Sequence, residues 1–302
     1  MKLSVRQAFE YCEKMASRHY ENFPVASLFL PQEKRPHIAA IYAFARAADD
    51  FADEGNLQPF ERLEKLDEWE QKLQDCYDGK AEHPVFIALS ETVRQHGIPS
   101  APLSALLEAF RMDVTKRRYA DYGELLYYCA RSANPVGQLV LYVFGAASER
   151  TITLSDNICT ALQMANFWQD VSVDRTRGRI YVPLEDFDRF GYTEQEYGRG
   201  IADRRFANLM KFQIDRTREL FRAGEPLVQA AGPELELELT LTIRGGNAIL
   251  DKVERAGADV MSRRPRLSLA DKAALLAGAL LRTKVRWPST LRTRPWKPRP
   301  QT

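Results

Sequence analysis

Apolar residues recur every three or four positions along nearly the whole chain, which is the period of helices that bury one face. Runs of alternating β-branched residues bounded by turns, the mark of half-buried strands, are almost absent. The pattern therefore predicts an all-α fold. Beyond two N-terminal helices, the predicted helical ranges are 60–77, 83–96, 101–117, 121–146, 153–174, 202–223, 233–257 and 268–283.

Helix-start and helix-stop residues place the first two helices. Ser4–Gln7 has the form of a capping box, so a first helix begins there. Pro31 and Pro36 precede or open a second helix that runs to about Glu54, where Gly55 ends it.

The rest of the sequence indicates one helical domain. Residues 178–200 are the least helical stretch, and no internal repeat or low-complexity block precedes the C-terminal tail. We therefore expect a single domain over residues 1–284, followed by a tail over residues 285–302.

Composition places the chain among ordinary globular proteins, with 45% hydrophobic and 28% charged residues in a length of 302. The longest uncharged apolar stretches, around 139–147 and 273–281, are shorter than the roughly 18–20 residues that span a bilayer. The N-terminus lacks the apolar core of a secretory signal, so we expect a cytoplasmic protein. No nucleic-acid partner is expected.

The net charge of +2 conceals a basic tail. Residues 282–302 contain seven Lys and Arg and no acid, so that the rest of the chain is net negative. The same segment contains four prolines and two tryptophans. Two interpretations stay open: a solvated tail, or a tail that contacts the inner face of the membrane through anionic lipid.

Several kinds of site are not indicated. The four cysteines have no C-x-x-C spacing, which argues against a zinc site or a disulfide framework. None of the four histidines belongs to a Glu-x-x-His motif of a di-metal helical bundle. No G-x-G-x-x-G or P-loop signals a nucleotide site, and nothing marks a nucleophile elbow.

One polar stripe stands out on the second predicted helix. Tyr42, Arg46, Asp49 and Asp53 lie at i, i+4, i+7 and i+11, which places them on one face of an otherwise apolar helix. Arg46 has two open roles, as a phosphate contact or as an ion-pair partner of a neighbouring aspartate.

The last part of the predicted helix 153–174 has a similar polar stripe. Asn166, Asp170 and Asp174 are spaced by four residues and therefore share one face. Unpaired aspartates one turn apart repel each other, so a cation is their natural partner, and oxygen ligands favour Mg²⁺. Two such pairs facing each other would hold a diphosphate through bridging ions, with the basic segment 175–179 beside it. The alternative for each pair is a solvated helix face.

With these motifs the sequence resembles the squalene/phytoene synthase family over roughly residues 10–265. The shared motifs are Tyr42-x-x-x-Arg46-x-x-Asp49-Asp50-x-x-Asp53, Asn166-x-x-x-Asp170-x-x-x-Asp174 and Arg177-Gly178-Arg179-Ile180-Tyr181-Val182-Pro183. Three departures resemble the hydroxysqualene synthase branch of that family. They are Asn134-Pro135 in place of an Ala-Gly-type sequence, Gln169 where many members have Arg, and the segment 21–27 near the start.

The resemblance implies an isoprenoid-synthase-type helical bundle around a central active-site cavity. It implies that presqualene diphosphate loses its diphosphate and that water captures the rearranged carbocation to give hydroxysqualene, in squalene and hopanoid biosynthesis. No NADPH is then expected. Two or three Mg²⁺ ions would bridge the diphosphate.

The resemblance also assigns candidate residues. The expected metal ligands or their close support are Asp49, Asp50, Asp53, Glu54, Asn166, Asp170 and Asp174. The four aspartates Asp49, Asp53, Asp170 and Asp174 are also assigned to catalysis, together with Tyr128. Expected substrate-binding residues are Tyr42, Arg46, Asn134, Asn166, Gln169, Arg175, Arg179 and Tyr181.

Within this set, Asn134 and Gln169 are candidates to position the attacking water. An apolar tunnel would shield the carbocation, since aromatic faces stabilise positive charge. The aromatic candidates, each with core packing as the alternative, are Phe23, Phe44, Phe110, Tyr128, Tyr142 and Phe167.

Two other functions remain open. Within the family, the chain could itself condense two farnesyl or geranylgeranyl diphosphates, as a presqualene diphosphate, squalene, dehydrosqualene or phytoene synthase. Outside the enzyme class, a non-catalytic helical protein that binds prenyl lipids would keep the fold without turnover, although the complete aspartate pairs argue against inactivity.

Overall fold

The computed structural model describes residues 3–18 and 31–281, and within these ranges it contains helices and no strand, which confirms the all-α prediction. The α-helices are α1 Val5–Arg18, α2 Arg35–Asp53, α3 Pro59–Tyr77, α4 Pro84–His96, α5 Ala101–Thr115, α6 Tyr122–Ser132, α7 Asn134–Val143, α8 Glu149–Gln169, α9 Val171–Thr176, α10 Leu184–Arg189, α11 Glu194–Arg199, α12 Arg204–Gly224, α13 Leu227–Ala230, α14 Pro233–Ala256 and α15 Leu269–Leu280, with a 3₁₀ helix at Gly257–Met261.

The first helices begin and end where the sequence signals lie. The backbone N–H of Gln7 donates to Ser4 Oγ at 3.3 Å, and the Ser4 N–H donates to Gln7 Oε1 at 3.0 Å, which closes the predicted capping box. Pro36 stands in the first turn of α2, where the missing N–H costs no helical hydrogen bond. Gly55 follows the helix with φ 74°, a conformation that favours glycine.

Two helices predicted as continuous are each broken in the structure. The range 121–146 divides into α6 and α7 at Ala133 (φ −121°, ψ −48°). Pro135 lies in the first turn of α7 and has no N–H for a bond to the preceding turn, so the chain restarts a helix there. The range 153–174 is α8 and α9, which meet at Asp170 (φ −97°, ψ 10°).

The stretch predicted to be least helical holds two helices of six residues each, α10 and α11. Thr193 caps α11 through a reciprocal capping box with Glu196, and Gly200 ends it with φ 71°. Short helices of this length leave little room for a periodic pattern, so the sequence signal is weak.

Buried side chains form two hydrophobic cores. The N-terminal core comprises side chains of α1 to α5, where the rings of Phe44, Trp69 and Phe86 pack together. The C-terminal core comprises side chains of α6 to α14 around Trp168, whose indole N–H donates to Thr217 Oγ1 at 2.9 Å. Helix α2 therefore belongs to one core and α8 to the other.

Helix α7 joins the two cores. Its residues Leu139 and Val143 lie in the N-terminal core, and Leu141 lies in the C-terminal core. Helix α7 also crosses α8 closely at Gly137, where a Cβ would stand 2.3 Å from Ser155 Oγ. A side chain at position 137 would therefore require Ser155 Oγ and Cys159 Sγ to move.

Some predictions fall outside the described residues. They are the segment 21–27 with Phe23, and the tail over residues 285–302, so the domain boundary at 284 stays a prediction. In the part of the chain that the structure describes, no helix has the length and apolar character needed to cross a membrane.

Candidate active site

Asp49 and Asp50 of α2 form ion pairs with an arginine of their own helix. Arg46 Nη1 lies 3.1 Å from Asp49 Oδ2, and Arg46 Nη2 lies 2.5 Å from both Asp50 Oδ1 and Glu54 Oε1. Burial raises the pKa of Asp49, and the Arg46 charge only partly offsets that effect. Of the two roles open to Arg46, the structure shows the ion-pair role.

A second arginine connects the two predicted motifs. Arg179 Nη2 lies 2.5 Å from Asp53 Oδ1, although the two residues are 126 positions apart. Burial alone would raise the pKa of Asp53, but the Arg179 guanidinium outweighs it and the pKa is lowered. The last aspartate of α2 and the basic segment after α9 thus meet at one site.

The second aspartate group lies where α8 ends and α9 begins. Asn166 Nδ2 donates to Asp170 Oδ2 at 3.3 Å, and Arg264 Nη2 donates to the same oxygen at 3.0 Å. Asp174 makes no side-chain hydrogen bond or ion pair with the described residues. Burial, with the nearby Asp170 charge, raises the pKa of Asp174 to about 6. A carboxylate in this position is stabilised by any cation that enters.

Arg264 was not predicted from the sequence. It lies in the loop between the 3₁₀ helix and α15, and Gln169 Nε2 donates to the carbonyl oxygen of Pro265 at 2.7 Å in the same loop. The run Arg263-Arg264-Pro265-Arg266 is a visible basic signal. Its separation of 94 residues from Asp170 is what hid the contact.

A buried carboxyl also escaped the sequence analysis. The Tyr128 hydroxyl donates to Asp113 Oδ1 at 2.7 Å. Burial raises the pKa of Asp113 to about 6 and holds the pKa of Tyr128 well above its usual value. Nearby charges also shift the pKa of Asp113: that of Arg179 lowers it, and those of Asp53 and Asp49 on α2 raise it. The pair therefore stands beside the aspartate site.

Aromatic side chains form a cluster around Tyr128. The rings of Phe167 and Tyr181 stack, with centroids 3.8 Å apart and an angle of 5° between their planes. The ring of Tyr119 also stacks on Tyr181, with centroids 5.7 Å apart. The ring centroid of Tyr128 lies 6.1 Å from the ring centroids of both Phe167 and Tyr181. Two of the predicted tunnel aromatics, Tyr128 and Phe167, thus form one cluster with the predicted substrate-binding residue Tyr181.

The other predicted site residues are placed as follows. Asn134 is buried and its Oδ1 accepts a hydrogen bond from Thr160 at 2.9 Å. Tyr42 is half-buried one turn before Arg46, and burial raises its pKa. Phe44 packs in the N-terminal core, as its packing alternative predicted.

Arg175 stands apart from the aspartates. Its Nη1 donates to the carbonyl oxygen of Gly198 at 3.1 Å, and its guanidinium lies against Gly200. The structure thus uses Arg175 to tie α9 to the end of α11. The basic residue beside Asp170 is Arg264, which lies outside the segment 175–179.

The oxygen atoms of these side chains fit a hard divalent cation that also binds ligands from outside the protein. The oxygen donors of α2 and of α8 with α9 are carboxylates and one amide, the ligands that Mg²⁺ prefers. Among residues 3–18 and 31–281, no three His, Cys, Asp or Glu side chains converge closely enough to enclose an ion by themselves. An ion here would need further oxygen ligands, and a diphosphate supplies them.

Comparison with known proteins adds a sequence family and a fold. The model of the family described as squalene/phytoene synthase matches residues 16–271. A phytoene synthase of Arthrospira platensis is 32% identical over 291 residues, which cover 92% of this chain and 94% of that protein.

Two solved structures are similar over most of their length. The squalene synthase HpnC of Alicyclobacillus acidocaldarius is 40% identical with a TM-score of 0.81, covering 84% of this chain and 95% of that chain. A dehydrosqualene synthase in complex with a ligand is 25% identical with a TM-score of 0.82, covering 91% and 96%.

Proposed function

The chain belongs to the squalene/phytoene synthase family of isoprenoid synthases, which act on prenyl diphosphates, and from this premise we propose that it is a hydroxysqualene synthase. The proposed reaction converts presqualene diphosphate and water into hydroxysqualene and diphosphate. The observation that carries the proposal is the ion pair Arg179–Asp53, which links the end of α2 to the segment after α9, where the charge of Arg179 also acts on Asp174.

Two observations support the hydroxysqualene branch. Identity to the squalene synthase of Alicyclobacillus acidocaldarius is 40%, against 32% to the phytoene synthase of Arthrospira platensis. Gln169, one of the departures by which the sequence resembles that branch, donates a hydrogen bond to the carbonyl oxygen of Pro265 in the loop before α15. That contact orders the loop that also carries Arg264 beside Asp170.

Ionisation of the substrate requires that negative charge on the leaving diphosphate be stabilised. Bound Mg²⁺ would act as a Lewis acid toward the diphosphate oxygens. Asp49, Asp53, Asp170 and Asp174 would hold the ions, and Asn166 would orient Asp170 through their hydrogen bond. Arg179 and Arg264, now paired with carboxylates, present guanidinium donors of the kind that bind phosphate oxygens in parallel.

The aromatic cluster serves the carbocation that ionisation leaves. The faces of Tyr128, Phe167 and Tyr181 attract positive charge through their ring quadrupoles. Because the Tyr128 hydroxyl donates to Asp113, its ring is held in one orientation and gains electron density from the hydrogen bond. Stabilisation of charge and exclusion of water thus come from the same group of side chains.

Water capture needs a polar group beside the carbocation, and we assign this role to Asn134. The Thr160 hydrogen bond fixes the amide plane of Asn134 in the buried interior. Replacing Asn134 with Gly and Gln169 with Arg should raise the share of alkene relative to alcohol. Thr160→Val, which frees Asn134 without removing it, should produce a smaller shift. An unchanged product ratio in all variants would rule out both residues as water-positioning groups.

The function itself is tested with the purified full chain, Mg²⁺ and presqualene diphosphate, without NADPH, followed by mass spectrometry of the extracted lipid. Hydroxysqualene is the expected product, and Asp170→Asn is the matched inactive control. Consumption of farnesyl or geranylgeranyl diphosphate, with presqualene diphosphate untouched, would instead establish the condensing synthase, the second candidate that the similarity to phytoene synthases favours.

The basic tail belongs to the same proposal as a contact with the inner face of the membrane. The seven basic residues of segment 282–302, which has no acid, complement anionic lipid. Substrate and product are both hydrocarbon-rich, so a membrane is where they are most soluble.

A further inference from the structure

Helix α15 exposes an apolar surface that nothing in the described chain covers. It packs on α14 through Ala279 and through the ion pair Lys252–Asp271 at 2.8 Å. On the outer side, Leu269 is 84% exposed and Leu281, the residue after the helix, is 87% exposed. Between them the exposed residues are alanines and one lysine, Ala270, Lys272, Ala273, Ala274 and Ala277.

The charges around this surface are basic. Lys272 is the sole charged residue among the exposed positions of α15. The loop before the helix exposes Arg263 and Arg266, and the basic segment 282–302 follows directly after Leu281. An apolar helical face with cationic flanks is the composition of a helix that lies in a membrane interface.

A cleft of about 460 Å³ opens along the inner edge of the same helix, between α12, α14 and α15. Arg244 Nη1 is buried there and has no hydrogen-bond partner in the described part of the chain. Its guanidinium lies so close to Gly278 that a Cβ at that position would stand 2.6 Å from Nη2. Apolar side chains of Phe221 and Leu275 line the same cleft.

The cleft keeps cationic capacity after its internal pairs are counted. Arg218 is satisfied by Asp251 at 2.6 Å and by Glu254 at 2.8 Å. Arg222 is 71% exposed, with its nearest carboxylate at 3.8 Å. Glu225 also lines the cleft, so its lining has three arginines against two acids. Arg222 and Arg244 are left to bind an anion beside apolar walls, which suits a phospholipid headgroup and its first acyl carbons.

We propose that the outer face of α15 and the adjoining arginine cleft form a docking surface for an anionic phospholipid membrane. The face inserts its leucines and alanines among the acyl chains, and the cleft binds headgroup phosphates. Segment 282–302, which follows Leu281 in the sequence, adds seven basic residues to Lys272, Arg263 and Arg266. An anionic leaflet complements both the helix flanks and that segment.

The surface lies next to the candidate active site along the chain. The loop that leads into α15 holds Arg264 against Asp170 and Pro265 against Gln169. Docking through α15 would therefore bring the edge of the site to the lipid surface. This inference extends the proposed membrane contact of the tail, while its test below uses lipid binding and not turnover.

The test measures sedimentation of the full chain with vesicles of phosphatidylcholine containing about a third phosphatidylglycerol. The double variant Leu269→Glu, Ala273→Glu places two charges on the exposed face without touching the core. We expect its partition coefficient to fall at least about tenfold, since the variant loses the burial of one leucine side chain and would bring two charges among the acyl chains. Ala101→Glu, an exposed first-turn position of α5, adds the same kind of charge and should leave partitioning unchanged.

Salt separates the helix from the tail. At high ionic strength the electrostatic attraction of the tail is screened, whereas insertion of α15 persists. Wild-type protein should therefore stay bound in part, and the double variant should be released. Equal partitioning of the two proteins, with complete release of both by salt, would show that the tail acts alone and would overturn the proposal.

A second variant tests the cleft. Arg244→Gln should reduce the preference for phosphatidylglycerol over phosphatidylcholine several-fold and leave binding to neutral vesicles intact; an unchanged preference would remove the cleft from the surface. Light scattering completes the test. If wild-type protein ignores vesicles and the double variant converts a dimer to a monomer, the face is an interface between copies and the proposal fails.

Discussion

Helix α2 and the α8–α9 segment have aspartates at a similar spacing but differ in backbone and in how their charges are balanced. Helix α2 runs unbroken through Asp53, and its carboxylates are paired with Arg46 and Arg179. The other segment changes helix at Asp170, which binds Arg264, and leaves Asp174 with no paired group among the described residues.

The difference lies in where the counter-charges come from. Arg46 is supplied one turn away on the same helix and pairs with Asp49, Asp50 and Glu54, so part of the counter-charge of α2 is local, while Asp53 depends on Arg179. The second group depends on Arg264 from a distant loop, which reaches Asp170 but leaves Asp174 without an ion pair among the described residues. Burial, with the nearby charge of Asp170, raises the pKa of Asp174. We infer that α8 and α9 are the side of the site where a bound cation changes the electrostatics most.

The largest expected effect comes from removing one carboxylate on either side. Asp49→Asn and Asp170→Asn should each reduce turnover about 10² to 10³-fold, the scale seen when one group that stabilises a transition-state charge is deleted. Circular dichroism should be unchanged, because both side chains lie at the site and outside the two cores. Asp215→Asn, an exposed aspartate paired with Lys211, is the matched control. Near-normal turnover in both site variants would contradict the ionisation mechanism.

The next effect distinguishes the two arginines. Arg179→Gln removes the link between the helices and Arg264→Gln removes the partner of Asp170, and each should lower turnover about tenfold to 100-fold. Lysine at either position should restore only part of the loss, since it lacks the planar fork. If Arg175→Gln were as damaging as Arg179→Gln, the assignment of Arg175 to the α11 contact would be wrong.

The sequence predicts the helices of this fold well because their signals are local. Capping at Ser4, proline at 36 and glycine at 55 each act within a few residues, and the structure confirms them. The break at Asp170 has no proline or glycine to mark it. It depends on tertiary contacts, such as the Arg264 pair, that periodicity does not contain.

The same reasoning explains what was missed at the site. The aspartates, Tyr128 and Arg179 belong to motifs that a single stretch of chain displays. Arg264 and Asp113 reach the site from elsewhere in the chain, and a lone Asp near the end of α5 resembles any solvated residue until its burial is known. Long-range pairing of charges is therefore the part of the site that the sequence leaves undetermined.

A smaller effect tests how α8 is positioned. Gly137→Ala would place a methyl group 2.3 Å from Ser155 Oγ and 2.5 Å from Cys159 Sγ. Overpacking at such a crossing should destabilise the protein by about 1–3 kcal/mol, measured by urea denaturation. Gly198→Ala is the control, because a Cβ there meets nothing within 4 Å. Equal stability of the two variants would show that the crossing can widen without cost.

The smallest effect concerns the core that holds α2. His37 on α2 is buried, with Nδ1 3.0 Å from Thr92 Oγ1 and its ring 4.5 Å from the ring of His96. Burial, then the charges of His96 and Lys34, lower the pKa of His37 to about 4, while Glu91 weakly opposes them. The folded state therefore holds His37 neutral at pH values where the unfolded chain would bind a proton.

Stability should accordingly fall as pH drops below the unfolded pKa of about 6.5, by roughly 1 kcal/mol near pH 5.5, and level off below pH 4. His37→Gln keeps a polar partner for Thr92 and removes the titration, so its free energy of unfolding should vary less over that range. Urea denaturation at several pH values measures the difference. Parallel pH profiles would show that other groups cause the slope and that the titration of His37 on α2 does not affect the free energy of unfolding.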